Sequence, residues 1–107
     1  MKKKKSELID VIIKEPGKFP RFTKLENTLE AFQKTVGGYI ETVTVLEDLV
    51  LVCNEEGRIL GLPPCLHLFG LDFYGTVVLV GKDKDEFCDC PLGYDIAKKH
   101  FHSLWEV

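Results

Sequence analysis

The chain has 107 residues, of which 45% are hydrophobic and 29% charged, so it is long enough for one folded domain and is not compositionally disordered. Its formal net charge is −3, and because Lys2 to Lys5 contribute +4, the remainder carries −7. An acidic body lacks the basic surface that holds nucleic-acid phosphates, which argues against a nucleic-acid partner. We predict a disordered basic tail over residues 1–6 and a single domain over residues 7–107.

No apolar run approaches the ~20 residues that span a bilayer, and the basic start does not lead into a signal-peptide core. We therefore predict a soluble cytoplasmic protein with no membrane partner, whose four cysteines are reduced. The metal ligands that the sequence offers match no standard zinc spacing, and a buried Cys commonly acts as a small hydrophobe. We predict no cofactor and no metal, and the set to check is Cys88, Cys90, His100 and His102.

The first elements follow from residue chemistry. Residues 8–13 are rich in β-branched side chains and precede Pro16 and Gly17, which predicts a strand that stops in a tight turn. Residues 18–24 carry two Phe among three cations and predict an irregular, partly extended connection. Asn27 and Glu30 have the spacing of a capping box, which predicts a helix of about three turns from Asn27 to the glycines at 37–38.

Strands dominate the middle of the chain. Residues 39–46, 49–53 and 58–60 predict three strands of an antiparallel meander, because short polar turns separate them. Residues 65–74 show no clean period and predict a loop or edge segment. The apolar run at 76–80 is typical of a central strand that is buried on both faces.

Pro91 suits the first position of a final helix, with Asp89 or Cys90 as its cap. The predicted order of elements is therefore β-α-β-β-β-β-α. This order predicts the α+β class, with a single, mostly antiparallel sheet of four to five strands and two helices packed on one face.

Five short motifs occur in succession along residues 8–82 and are more specific together than singly: EPGK at 15–18, ENTLEA at 26–31, VGGYIE at 36–41, VCNEEG at 52–57 and GLPP at 61–64. With them the chain resembles a family of domains of unknown function from short bacterial, phage and mobile-element proteins. The resemblance transfers no activity. It implies an accessory protein of a mobile element, and with it host interaction or counter-defence. Cys65 stands where the family usually has Asn, which weakens a cysteine-centred mechanism.

Most motif residues have a structural explanation, because turns require glycine and proline and helix starts require caps. The alternative is that motif residues which secondary structure needs less strictly line a surface for a ligand or a partner. Together with two cations of the loop at 18–24, the predicted binding residues are Glu15, Lys18, Arg21, Asn27, Tyr39, Glu41, Asn54 and Glu55.

Two interpretations of the loop at 18–24 are open. Lys18, Arg21 and Lys24 could receive a nucleotide together with Phe19 and Phe22, by charge and by stacking. Alternatively, the loop packs its aromatic side chains inward. No catalytic residue is predicted, since the sequence contains no nucleophile–base motif, no metalloprotease signature and no phosphate-binding glycine loop.

Three functions therefore stay open. The first is a non-enzymatic binding protein that acts on a host protein by adding a strand to an open edge, for which residues 58–60 are the predicted strand. A homodimer through such an edge is a related prediction. The second is a protein that binds or sequesters a small nucleotide-type signal at the loop 18–24. The third is a metal-dependent or hydrolytic enzyme.

Overall fold

A computed structural model describes residues 7–106, so the predicted tail at residues 1–6 lies outside the described part of the chain. Eight strands and two α-helices follow one another, and a short 3-10 helix at His102–Trp105 comes last. In chain order the elements are β1 (Leu8–Lys14), β2 (Arg21–Glu26), α1 (Leu29–Val36), β3 (Ile40–Leu46), β4 (Leu49–Asn54), β5 (Pro64–Leu68), β6 (Leu71–Tyr74), β7 (Val77–Asp83), β8 (Glu86–Cys88) and α2 (Tyr94–His100).

The main sheet has six strands in the order β2-β1-β7-β4-β3, with β8 pairing the far end of β7. β5 and β6 form a separate hairpin, and every pairing in both sheets is antiparallel. The α+β class and the central, doubly buried strand at 76–80 are confirmed. The predicted count of four to five strands is too low, and the predicted order is wrong because β2 precedes the first helix.

The two helices lie on opposite faces of the sheet, so the prediction that both pack on one face is wrong. Phe32 and Val36 of α1 pack with the odd-numbered side chains of β1, such as Val11. Ala97 of α2 packs instead with Ile12 and with the β5–β6 hairpin. The reason is that the side chains of β4 are buried on both faces, and each face therefore needs its own cover.

The first helix begins one residue later than predicted. Thr28 is its cap, because the Thr28 hydroxyl accepts from the backbone N–H of Ala31 at 3.1 Å. The helix has eight residues, roughly two turns rather than the predicted three. Its predicted end is confirmed, since Gly37 adopts a φ of 84°, which favours glycine.

Two other predictions from the second half of the chain are wrong, and a third, the loop or edge segment at 65–74, is correct only in part. The predicted strand at 58–60 is a turn over residues 55–61, and β3 takes the outer position instead. The segment at 65–74 is the β5–β6 hairpin, whose turn places Phe69 and Gly70 at positive φ. The last helix starts at Tyr94 after Gly93, so neither Asp89 nor Cys90 caps it. No helix within residues 7–106 is long and apolar enough to cross a bilayer.

Candidate functional site

The outer strand β3 has backbone groups that no other part of the described chain uses. The N–H of Glu55 donates to the carbonyl of Tyr39 at 2.8 Å, which makes these two residues a hydrogen-bonded pair of the β3–β4 ladder. Bonded and non-bonded pairs alternate along an antiparallel ladder. Ile40, Thr42 and Thr44 therefore direct their N–H and C=O groups away from β4, and within residues 7–106 these groups have no backbone partner.

A groove lies beside this edge, on the face covered by the β5–β6 hairpin. Its volume is about 210 Å³. Glu41 and Val43 of β3 form one wall, since their cross-strand partners Cys53 and Leu51 lie on that same face. The other wall comes from the second strand of the hairpin and the turn after β4. We call this the β3 groove, and its lining residues are Glu41, Val43, Cys53, Asn54, Glu55, Gly57, Arg58, Leu71, Asp72, Phe73 and Tyr74.

Asn54 fixes the end of the β3 groove. Its amide oxygen accepts from the N–H of Glu56 at 2.8 Å, and its amide nitrogen donates to the carbonyl of Val36 at 3.2 Å, so one side chain joins the turn to the end of α1. Two nearby glycines allow close packing here. Gly38 leaves room for the Asn54 amide, since a Cβ on Gly38 would lie 2.9 Å from its nitrogen. A Cβ on Gly57 would lie 2.7 Å from the carbonyl oxygen of Tyr74.

The structure brings together four of the eight predicted binding residues. Glu41, Asn54 and Glu55 all line the β3 groove. Tyr39 is the neighbour of Glu55 across the strand pair and is largely exposed. Asn54 has a structural role through both ends of its amide, whereas the carboxylates of Glu41 and Glu55 are exposed and available to a partner.

Glu15, Lys18 and Arg21 form a second cluster at the turn between β1 and β2. The Glu15 carboxylate lies 3.8 Å from the Lys18 ammonium and 3.9 Å from the Arg21 guanidinium. Lys24 is also paired, since its ammonium lies 2.6 Å from the Asp10 carboxylate. That hydrogen bond, with the charge of Asp10, raises the pKa of Lys24. Because each cation has an acidic neighbour, the predicted basic cluster has little free charge for a phosphate.

Asn27 belongs to neither cluster. Its amide nitrogen donates to the carbonyl of Phe87 at 3.1 Å, and its backbone N–H donates to the carbonyl of Glu7 at 2.8 Å. These bonds tie the end of β2 to β8 and to the start of β1. Asn27 therefore has a structural role, and it is not a helix cap as predicted.

Four aromatic side chains form a surface on the other side of the sheet from α1. Phe22 stacks on Tyr94 with 5.9 Å between ring centroids and an interplanar angle of 9°, and Tyr94 lies 5.2 Å from Trp105. Phe19 is 60% exposed and Phe22 is 43% exposed, so the loop does not pack these rings into the core. We call Phe19, Phe22, Tyr94 and Trp105 the aromatic surface.

The surroundings of three cysteine thiols, Cys53, Cys65 and Cys90, favour the protonated form over the nucleophilic thiolate. Cys65 lines a pocket with His67 and Asp72, and the His67 and Asp72 side chains are 2.6 Å apart. However, the Cys65 thiol donates to the carbonyl of Lys14 at 3.3 Å, and burial raises its pKa to about 11. Burial raises the pKa of Cys53 and of Cys90 to about 11 as well. Thiols with such pKa values stay protonated at neutral pH, and the thiolate is the reactive form.

The four side chains considered as metal ligands, Cys88, Cys90, His100 and His102, do not form a metal site in the structure. Among residues 7–106, no group of three or more His, Cys, Asp or Glu side chains could hold a metal ion. Cys88 lies at the end of β8, whereas His100 ends α2 and His102 begins the 3-10 helix.

Sequence reasoning missed three features of the candidate site. Arg58 falls within the strand predicted at 58–60, and Asp72 falls within the segment 65–74, which has no clean period. Tyr94 and Trp105 both follow Pro91, the predicted start of the final helix, and their spacing does not indicate that they lie beside Phe22. The turn signal before Arg58 could have located that residue, but the other contacts depend on pairings that are remote in sequence.

Comparison with known families identifies the family to which the chain is similar. The family model described as Domain of unknown function (DUF3846) matches residues 9–102. No curated protein and no solved structure matches the chain.

Proposed function

The chain belongs to the DUF3846 family of domains of unknown function, and we propose from its geometry that it is a non-enzymatic module. It binds a protein partner by adding a strand to β3. The observation that carries this proposal is the open outer edge of β3. Ile40, Thr42 and Thr44 offer a regular row of donors and acceptors that the described chain leaves unused. An extended peptide can pair with such a row residue by residue.

Exposed apolar side chains on the two segments that line the β3 groove support the proposal. Ile59 is 85% exposed in the turn after β4, and Leu71 is 49% exposed on the wall of the β3 groove. Apolar surface that is exposed beside a groove is typical of an interaction site. Our proposal that the partner is a host protein, with the chain acting as an accessory protein of a phage or mobile element, rests on the resemblance alone.

Peptide selection followed by amide exchange tests strand addition directly. Twelve-residue peptides are selected from a random display library on the full chain, and hydrogen exchange is then followed by NMR with and without a selected peptide. We expect binding to slow exchange at the outward amides of Ile40, Thr42 and Thr44, because each gains a hydrogen bond. Unchanged exchange at these amides in the bound protein would contradict strand addition.

Two proline variants provide a matched pair for the binding measurement. Thr42→Pro removes an N–H that points outward from β3, so we expect it to abolish peptide binding while the β3–β4 ladder remains. Lys24→Pro is the control. The Asn27 N–H donates to the Glu7 carbonyl, so the backbone groups of Asn27 point towards β1. Because this orientation alternates along a strand, the N–H of Lys24 points outward, at the edge of the sheet opposite β3. Equal loss of binding in both variants would show that the effect is not specific to β3.

The aromatic surface favours a second candidate, a small ligand that stacks on exposed rings. Nucleobases stack on aromatic side chains without needing a particular sequence, and Phe22 and Tyr94 present nearly parallel rings. The paired state of Lys18, Arg21 and Lys24 weakens this candidate, because a phosphate would compete with Glu15 and Asp10 for them.

A thermal-shift screen against nucleotides and cyclic oligonucleotides tests the second candidate. A ligand at 100 times its dissociation constant stabilises the protein by about 2.7 kcal/mol. We expect any such shift to disappear in Phe22→Ala. Phe69→Ala is the matched control, since Phe69 is an exposed aromatic residue in the β5–β6 turn, outside the aromatic surface. A shift that both variants keep would place the ligand elsewhere.

A further inference from the structure

The register of β3 determines which side chains of an added strand would enter the β3 groove. Side chains alternate between the two faces of a strand, and cross-strand neighbours lie on the same face. Glu41 and Val43 face the groove. Residues of a partner strand that lie opposite Glu41 and Val43 therefore direct their side chains into the groove, while the residue between them points to the α1 face.

The chemistry of the groove is that of an apolar channel with an acidic rim. Val43, Phe73 and Leu71 supply apolar walls. The rim carries three carboxylates and one guanidinium among its lining residues, which gives a formal charge of −3 + 1 = −2. The cation is Arg58, whose guanidinium carbon lies 5.9 Å from the centre of the Tyr74 ring.

A long basic side chain matches these two properties at once. Lys and Arg bury a methylene stem against apolar surface and keep the charged head near water, and a charged hydrogen bond to a carboxylate is about twice as strong as a neutral one. We propose that the β3 groove is a specificity pocket for a Lys or Arg side chain of the partner strand. This inference rests on the proposed function, because the added strand delivers the side chain.

The size of the groove agrees with one side chain and not with a whole ligand. Its volume of about 210 Å³ is below the roughly 300–1,000 Å³ that is typical of small-molecule sites. The groove also adjoins the row of outward backbone groups on β3, so the same partner segment can use both.

A second copy of the chain does not have this chemistry on its own β3. Ile40–Leu46 contains no Lys or Arg, and its one charged residue is Glu41. Pairing of β3 with β3 would bring more acidic charge to an acidic rim. The other outer strand, β2, does carry Arg21 and Lys24, but these cations already have Glu15 and Asp10 as acidic neighbours. The charge of the groove therefore favours a different protein, with an unpaired basic residue in an extended segment.

The test uses the display-selected peptides and the full chain. Each peptide is synthesised with its basic residue intact or replaced by Gln or by Glu, and its Kd is measured by fluorescence polarisation. We expect Lys or Arg at one fixed position, and a rise in Kd of about tenfold when Gln replaces it, the size typical of a charged hydrogen bond. Replacement by Glu should weaken binding further.

Two double variants separate groove charge from overall charge. Glu41→Gln with Glu55→Gln neutralises the rim and should remove most of the preference for Lys or Arg over Gln. Glu47→Gln with Glu86→Gln makes the same charge change at exposed positions outside the groove. This second double variant should keep the preference for Lys or Arg over Gln. Circular dichroism and melting temperature verify that all variants are folded.

The possible results distinguish the two proposals. Peptides that bind equally with Lys, Gln or Glu, and whose binding Thr42→Pro abolishes, would overturn the basic pocket and leave strand addition standing. Peptides that bind Thr42→Pro as well as the wild type would overturn strand addition, and so would a selection without any binder. Light scattering that shows a dimer which Thr42→Pro dissociates would make a second copy the occupant and overturn the basic pocket.

Discussion

β2 and β3 are the two outer strands of the same sheet, and their exposed edges differ in charge. β2 carries Arg21, Lys24 and Glu26 within six residues, and Lys24 is paired with Asp10 across the strand pair. β3 has seven residues, mostly Thr and Val, with Glu41 as its one charged side chain. Within residues 7–106, both strands have an outer edge that no other strand pairs, but only β2 surrounds its edge with charge.

Charged side chains on an outer strand are a known protection against unwanted pairing, because an approaching strand must desolvate them. The sequence of β2 has this protection and that of β3 lacks it. A chain that gains nothing from pairing with another strand has reason to protect both edges equally. The difference suggests that the edge of β3 is kept open for a partner, and the following predictions test that difference.

The largest effect should come from a proline whose lost N–H points inward. The N–H of Val43 belongs to the β3–β4 ladder, whereas that of Thr42 points outward. We expect Val43→Pro to lower the free energy of unfolding by about 3 kcal/mol, since it leaves a buried acceptor on β4 unpaired. Thr42→Pro should destabilise clearly less. Urea unfolding of both variants measures the difference, and equal losses would show that the two N–H groups are equivalent.

Removal of the Asn54 side chain should have the next largest effect. Asn54 is 6% exposed, and its amide bonds to both Glu56 and Val36. We expect Asn54→Ala to cost about 2 kcal/mol, within the range for buried polar groups left without partners. Asn27→Ala is a comparison from the β2 side, where the side chain makes one hydrogen bond and is half-buried, so its loss should be smaller. A reversed order in urea unfolding would contradict this assignment.

Removal of charge from β2 should make that edge resemble β3. We expect the triple variant Arg21→Thr, Lys24→Thr, Glu26→Thr to self-associate at concentrations where the wild type does not, because its backbone edge loses its charged neighbours. Sedimentation velocity over a concentration series measures the change. A triple variant as monodisperse as the wild type would mean that charge is not what protects β2.

The last effect is absent at neutral pH and appears only in alkaline solution. The pKa of Cys53, which lies opposite Glu41, is raised from 9.0 to about 11, first by burial and then by the charge of Glu41. The folded state therefore holds the thiol proton more tightly than the unfolded state, so this stabilisation is complete below pH 9 and is lost as pH rises towards 11. The stability of Cys53→Ala should decline less over this range. Parallel curves for the two proteins would contradict a contribution from this thiol.

Local chemistry explains which parts of the fold the sequence could predict. The run Val77–Val80 and the glycine at the end of α1 carry strong local signals, and both predictions are confirmed. β2 has a weak signal because its Lys and Glu residues have low strand propensity, and pairing with β1 overrides that propensity. The β5–β6 hairpin has no clear periodicity in its sequence, because the order of its apolar side chains reflects burial against the second face of the sheet.

The candidate site was predictable only in part, for a related reason. Glu41 and Glu55 were singled out from two motifs, but their proximity depends on the register that pairs Ile40 with Asn54. Asp72 reaches the groove from a hairpin that joins β4 through tertiary packing alone. No local pattern encodes either arrangement. The strand predicted for the open edge, at 58–60, was therefore the wrong one.

The central position of β7 has a consequence for the order in which the chain can fold. β1 with β2 and β3 with β4 are neighbours in sequence and can pair early, whereas β7 pairs Leu79 with Ile12 on one side and with Leu51 on the other. During synthesis, the inner edges of β1 and β4 must wait until residue 79 and its neighbours have left the ribosome. Such non-local closure is slow. A chain truncated before β7 should consist of three unjoined hairpins that aggregate, because β7 is the strand that joins β1 to β4.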